Sequence, residues 1–336
     1  MNGHDIITLG GSAGALEAMR RVLADLPSDL PASLFLAIHQ SPYAESLLPE
    51  VLSRAGALPA KHPADREPIQ RATIYVAPPD HHLLIVGGAL RVVQGPKEHN
   101  TRPAVDPLFR SAALSYGPRV VGVLLSGLLD DGSSGLAAIH SRGGVPLVQA
   151  PADAMYPDMP ANGIKQVPEA RPLAAAQIGA ELARLATAPA PPATQKAPDE
   201  MEWEVAMAAW DLNALSGGDR PGSPTPFSCP DCGGDLWEYN SAGLPRFRCR
   251  VGHGYSPLSL LAAQSGSIDD TLNEAFRALK EKEHMHRRMA KFAERHRNSK
   301  GNGYHKAQAD KTADAAAGIL RLLLDLKSLN GGETSK

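Results

Sequence analysis

The stretch DIITLGGSAGALEAMRRVLADL, residues 5–26, decides the fold. Its opening, 5–10, is a short apolar run of the length of a buried strand. From residue 15 onward Leu16, Met19, Val22, Leu23 and Leu26 recur at helical spacing. Between the two lies Gly10-Gly11-Ser12-Ala13-Gly14, a G-x-S-x-G pattern at a strand-to-helix turn. A sharp turn of this kind needs small residues, because the backbone passes through strained angles. It leaves the Ser12 hydroxyl exposed at the carboxyl end of the strand. Backbone N–H groups at the helix start are then placed to stabilise an oxyanion. The same glycines also suit a loop that cradles a phosphate in a nucleotide-binding α/β domain. Against that, their register does not fit G-x-G-x-x-G, and no P-loop Lys follows.

Outward from this unit the alternation repeats. Strands are expected at 32–39, 73–79, 119–127 and 145–151, and helices at 46–56, 105–117 and 134–143. Residues 82–88 and 89–95 read as two further strands joined in a hairpin around Gly87-Gly88. Repeated βα units imply an α/β fold, a mostly parallel, doubly wound sheet with helices on both faces. A nucleophilic serine needs a base and a group to orient it. His39 ends the second strand, and neighbouring parallel strands end on the same edge, so His39 is expected beside Ser12. Asp131 follows the strand at 119–127, though an Asp there also suits a helix N-cap. Asp130 adjoins it and competes for the histidine.

The chain has 336 residues, which suits more than one domain, and 43% of them are hydrophobic. A formal net charge of -2 gives no reason to expect nucleic acid as partner. No basic-then-apolar leader and no run of about 18 apolar residues is present, so a cytoplasmic protein without membrane insertion is expected. Three cysteines argue against a disulfide framework, and all lie between 229 and 249. Cys229-Pro-Asp-Cys232 and Cys249-Arg-Val-Gly-His253 form two knuckles with the donor set of a closed, structural zinc site. The domains are expected at 1–186 (catalytic), 187–226 (linker with a short helix), 227–256 (zinc-ribbon-like) and 257–336 (helical tail). The tail reads as a hairpin of helices at about 268–298 and 305–329. Leu272, Phe276, Leu279, Met285, Met289 and Phe292 form its apolar stripe, packed on the second helix or offered to a partner.

The order Ser12, His39, Asp131, with these local sequences, resembles the catalytic domain of the chemotaxis-type protein-glutamate methylesterase (CheB) family. Tyr75-Val76-Ala77-Pro78-Pro79-Asp80-His81-His82, Arg102-Pro103-Ala104-Val105-Asp106-Pro107-Leu108-Phe109 and Ala150 to Met159 resemble further segments of that family. The likeness runs from about 5 to 185. It implies that Ser12 attacks glutamate methyl esters on methyl-accepting receptor proteins, with methanol as product and glutamine deamidation as a side activity. His39 would be the base and Asp131 its orienting partner. The N–H groups of Ala13 and Leu128 would match the oxyanion hole, and Arg102 would help position substrate. Catalysis would need no cofactor. One departure stands out: the family's Met-Gly in the aspartate loop is Leu128-Leu129 here, at a position where the backbone can require positive φ. An alternative is therefore a signalling scaffold that keeps the fold and binds a partner through its zinc module and helices 268–329. The chain begins at the first strand, so a stand-alone form is expected, with phosphorylation control absent or supplied in trans.

Overall fold

The computed structural model describes residues 3–43, 45–193, 196–211, 214, 221–241 and 243–331. β1 (Ile6–Gly11) lies at the centre of a seven-stranded sheet, followed by α1 (Ala15–Ala24), β2 (Ser33–Ile38), α2 (Leu48–Ser53), β3 (Ala60–Lys61) and β4 (Ile74–Val76). A hairpin of β5 (His82–Val86) and β6 (Ala89–Val93) stands apart from this sheet as its own antiparallel pair. The chain continues through α3 (Val105–Tyr116), β7 (Val120–Leu124), α4 (Ser133–Ser141), β8 (Val145–Gln149), α5 (Asp158–Gln166), β9 (Arg171–Leu173) and α6 (Ala175–Thr187). The sheet order is β3-β4-β2-β1-β7-β8-β9, with every neighbouring pair parallel. The doubly wound sheet expected from the repeated βα units is thus present.

Strands buried on both faces must be apolar throughout, and β1, β2 and β7 are buried at every position. One face carries Leu9, Leu34, Leu36, Val121 and Val123 against Met19, Val22 and Leu23 of α1 and Ile178 and Leu182 of α6. The opposite face carries Phe35, Tyr75, Val120 and Leu124 against Leu108, Phe109 and Ala112 of α3 and Leu136 and Ile139 of α4. β2, β4 and β3 extend the sheet to one side of β1, whereas β7, β8 and β9 extend it to the other. The winding therefore reverses between β1 and β7. A crevice opens outside the carboxyl ends of strands at such a reversal, and ligands in open α/β sheets bind there.

Two compact units divide the chain, Met1–Leu260 and Leu261–Lys336. Within the first, the segment 187–226 that reads as a linker carries α7 (Asp199–Ala208), which packs on α3 and buries Met201, Glu204 and Val205. A four-stranded antiparallel sheet follows, β10 (Ser223–Ser228), β11 (Asp235–Ser241), β12 (Leu244–Cys249) and β13 (Gly254–Tyr255), in that order. Residues 223–226, expected in the linker, form one strand with 227–228 and pair along β11 with an irregular register. The readings of 194–195 as linker, 212–213 and 215 as helix and 216–220 as loop lie outside the described residues.

The second unit consists of α8 (Pro257–Arg295) from residue 261 onward and α9 (Ser299–Gly331). They face each other through small residues: Ala290 and Ala293 of α8 and Ala309 and Ala316 of α9 are buried. Met285, Met289 and Phe292 of the expected apolar stripe stay exposed, whereas Leu272, Phe276 and Leu279 are half-buried.

Candidate active site

Parallel pairing of β1 with β2 sets Gly11 opposite Ile38, and the His39 N–H donates to the Gly11 carbonyl at 3.3 Å. Ser12 and His39 are therefore the next residues on two adjacent strands. They share a cleft of about 390 Å³ walled by Leu16, Ile38, Leu47 and Val51. On the other side of β1 the turn is tied to the end of β7: the Ser12 N–H donates to the Ser126 carbonyl at 3.0 Å. The loop after Ser126 carries Asp131, whose Oδ2 lies 2.7 Å from His39 Nε2. Three strand ends thus bring together the three residues that the sequence singles out. Among the described residues, none is hydrogen-bonded to the Ser12 hydroxyl, and such contacts commonly tighten only with substrate bound.

Asp131 sits at the N-terminus of α3. Its Oδ2 also accepts the Val105 N–H at 2.7 Å, and its Oδ1 accepts the Asp106 N–H at 3.0 Å. These first-turn donors have no partner within the helix, and the positive end of the helix favours a carboxylate. Burial alone would raise the Asp131 carboxyl. The charge of His99, the His39 hydrogen bond and the Val105 N–H outweigh it and hold the group well below the usual carboxylate range. Since Asp131 accepts from Nε2 of His39, the neutral imidazole carries its proton there and keeps Nδ1 as its acceptor. Asp130 does not compete; its Oδ1 accepts the Ser256 hydroxyl at 2.7 Å.

The N–H groups of Ala13 and Leu128 donate to no protein acceptor among the described residues. Gly127 brings the second of them close to Ser12, since a Cβ at 127 would lie 3.0 Å from Ser12 Cβ and overlap the Met159 sulfur. Leu129 adopts φ 62°, the left-handed conformation that glycine takes without penalty. The loop thus keeps its path at a cost of about 1–2 kcal/mol. Arg102 is committed elsewhere: its guanidinium donates to Asp80 Oδ1 at 2.6 and 3.0 Å and to the Gly95 carbonyl. It does not line the cleft of Ser12 and His39. His82 is wholly buried, accepts the Ala104 N–H and contacts the Pro96 carbonyl, so it pins the loop leading into α3. Burial pushes it down to about 4, which keeps it neutral.

Sequence reasoning missed the surroundings of Asp131. Glu98, Asp106 and Glu204 are buried with it, together with His99, Arg110, Arg246 and Arg248. Glu98 takes Arg110 on both oxygens at 2.6 Å, Arg248 at 2.9 Å and Arg246 at 3.4 Å. Asp106 Oδ2 takes His99 Nε2 at 2.8 Å and Arg246 Nη1 at 3.0 Å. Those two nitrogens are 3.1 Å apart because both donate to one oxygen. His99, Asp106 and Asp131 are close enough to share a cation, but the Arg246 guanidinium already fills that role. The only trace of this cluster in the sequence was Arg246 and Arg248 at alternate positions of a strand beside Cys249, which puts them on one face.

Cys229, Cys232, Cys249 and His253 converge, their ligand atoms all within 4.8 Å of one another. His253 Nδ1 lies 3.6 Å from the Cys229 sulfur and 3.5 Å from that of Cys249, and the Cys232 and Cys249 sulfurs are 3.7 Å apart. Spokes of 2.3 Å to sulfur and 2.0–2.1 Å to nitrogen give tetrahedral edges of about 3.8 Å and about 3.6 Å. The donors therefore fit a tetrahedral ion of zinc's size. Gly252, at φ 108°, turns the second knuckle.

The chain is similar to known proteins over this domain. The family described as CheB methylesterase matches residues 7–182. The chain is 37% identical over 164 residues to protein-glutamate methylesterase/protein-glutamine glutaminase 1 of Xanthomonas campestris pv. campestris, covering 48% of this chain and 46% of that protein. It is 36% identical over 168 residues to the protein-glutamate methylesterase/protein-glutamine glutaminase of Yersinia pestis bv. Antiqua, covering 49% and 48%. The chain thus spans about half the length of the curated relatives it matches. The crystal structure of the Thermotoga maritima CheB methylesterase catalytic domain superposes with a TM-score of 0.52 at 26% identity, covering 55% of this chain and 99% of that one. With the family match extending over half of its length, the chain belongs to the CheB methylesterase family.

Proposed function

We propose that this protein is a serine esterase that hydrolyses glutamate methyl esters on methyl-accepting receptor proteins. The observation that carries the proposal is the His39–Asp131 contact of 2.7 Å in the cleft that Ser12 lines. Ser12 Oγ attacks the ester carbonyl as His39 Nδ1 takes its proton. Asp131 keeps the Nε2–H tautomer and offsets the imidazolium charge. The N–H groups of Ala13 and Leu128 stabilise the oxyanion. The C–O bond to methoxide then breaks, and the proton passes from Nδ1 to the departing methanol, leaving an acyl-serine. A water, deprotonated by the same nitrogen, hydrolyses it to the glutamate carboxylate. A glutamine amide can follow the same course with ammonia leaving, in line with the double name of the relatives. The left-handed backbone at Leu129 favours an active enzyme over a scaffold, since the side chain that departs from the family leaves Asp131 on its donors.

The cysteine module takes a structural zinc, held by Cys229, Cys232, Cys249 and His253. A bound zinc would crosslink the two knuckles; four protein donors leave no open position for catalysis. Release of methanol from a methylated receptor fragment tests the enzymatic part. Wild-type protein should release it and Ser12→Ala should not, with the melting temperature preserved. Equal release by both would remove Ser12 from the mechanism.

A further inference from the structure

We propose that Arg246, on β12 of the cysteine-bearing module, is a positioning residue for Asp131, so that the module completes the esterase site. The proposal rests on Ser12, His39 and Asp131 being the catalytic residues.

The buried cluster holds four carboxylates, Glu98, Asp106, Asp131 and Glu204, against Arg110, Arg246, Arg248 and His99. Two of the three guanidinium groups belong to β12. Without them Arg110 and His99 would face all four carboxylates. Buried charges are tolerated only when paired, so the aspartate site is electrostatically incomplete without the module.

Asp106 holds the first turn of α3 in place. Its Oδ1 accepts the Gly135 N–H of α4 at 2.7 Å, and its Oδ2 receives His99 and Arg246. Its own N–H and that of Val105 are the donors that seat Asp131. Arg246 therefore acts on Asp131 through one intervening residue. Take it away, and Asp106 must gain a proton or shift, and the two N–H groups shift with it. A displacement of about 1 Å in a catalytic group suffices for large losses in rate.

A backbone clamp joins the module to this loop. The His99 N–H donates to the Gly254 carbonyl at 2.8 Å, and the Gly254 N–H donates to the Lys97 carbonyl at 3.0 Å. Arg248 Nη1 reaches the Gly252 carbonyl at 2.6 Å, and Ser256 holds Asp130. Gly252 and Gly254 flank His253, so the knuckle and the loop that positions Asp131 are one connected structure.

The test uses the full chain, a methylated receptor fragment, and Arg246→Met and Arg246→Lys. Metal content and melting are measured alongside. For Arg246→Met, kcat should fall about tenfold or more with KM within about twofold, zinc retained and the fold intact. Arg246→Lys, which restores the charge but not the planar fork, should fall between it and wild type. If Arg246→Met does not fold, Arg246→Gln, which keeps a donor toward Asp106 Oδ2 but not the charge, is held to the same kcat criterion. A smaller loss in kcat, or a loss lying wholly in KM, overturns the proposal. Inactive wild-type protein, or activity indifferent to Ser12→Ala, would instead overturn the esterase reading on which it rests.

Discussion

Asp131→Asn isolates the charge of the aspartate from its position. In the native site Oδ2 serves His39 and Val105 while Oδ1 serves Asp106. An asparagine has one acceptor oxygen. Placed where Oδ2 stood, it keeps two donors satisfied and turns its NH2 toward the Asp106 N–H. Flipped, it turns the NH2 toward both His39 and Val105 and forces His39 into the Nδ1–H tautomer, which is no base toward Ser12. Each orientation leaves one backbone N–H facing the NH2, so the two are close in energy, and the first sets the lower bound on the loss. There the tautomer survives and only the charge is lost. At an effective dielectric of about 20, a carboxylate about 4 Å from an imidazolium stabilises it by about 4 kcal/mol. At 1.36 kcal/mol per tenfold, kcat should drop at least about 10³-fold. The assay is methanol release at saturating receptor fragment, with melting as the control for folding. A folded variant whose kcat falls less than about tenfold would refute the assignment of imidazolium stabilisation to Asp131.

Three further outcomes are expected. Gly127→Ala should cut kcat about 10²-fold with a modest loss of stability, because its methyl presses on Ser12 and Met159; steady-state kinetics and melting check it. Purified protein should carry about one zinc, and Cys249→Ser should lose it and melt several degrees lower, by metal analysis and calorimetry. Stability should fall on both sides of neutral pH. Burial would raise Glu98 and Asp106, but the arginines around them prevail and hold both low, as His99, His39 and the Val105 N–H do for Asp131. Their contribution is full above the ordinary carboxylate range near pH 4 and fades as pH falls below it. Burial would lower His99, but Asp131 and Asp106 hold it above 6.5, so its contribution is full below that value and fades as pH rises past it. A melting temperature constant from about pH 3 to 9 would contradict both signs.

The sheet and the cleft were legible in the sequence because they follow from local pattern. Apolar runs of strand length separated by helical periodicity gave the parallel sheet, and parallel strands must end on a shared edge, which put Ser12 beside His39. The knuckle spacing likewise brought Cys229, Cys232, Cys249 and His253 together. What escaped was set by long-range electrostatics. Glu98, Glu204, Arg246 and Arg248 are charged residues from three separate segments, and only their mutual neutralisation in three dimensions makes burial tolerable. Arg102 carried a substrate role by resemblance, whereas here its guanidinium is given to Asp80 and to backbone carbonyls. The apolar stripe of α8 was legible as a stripe but not in how it is used: Leu272, Phe276 and Leu279 are half-buried, whereas Met285, Met289 and Phe292 stay exposed.

The central claim is that Ser12 is a nucleophile activated by His39. Reaction of the full chain with a fluorophosphonate, followed by mass mapping of the peptides, tests it directly. A single adduct on Ser12 is expected, lost in Ser12→Ala and slowed at least about tenfold in His39→Gln. An unlabelled Ser12, or labelling at the same rate in His39→Gln, would contradict it.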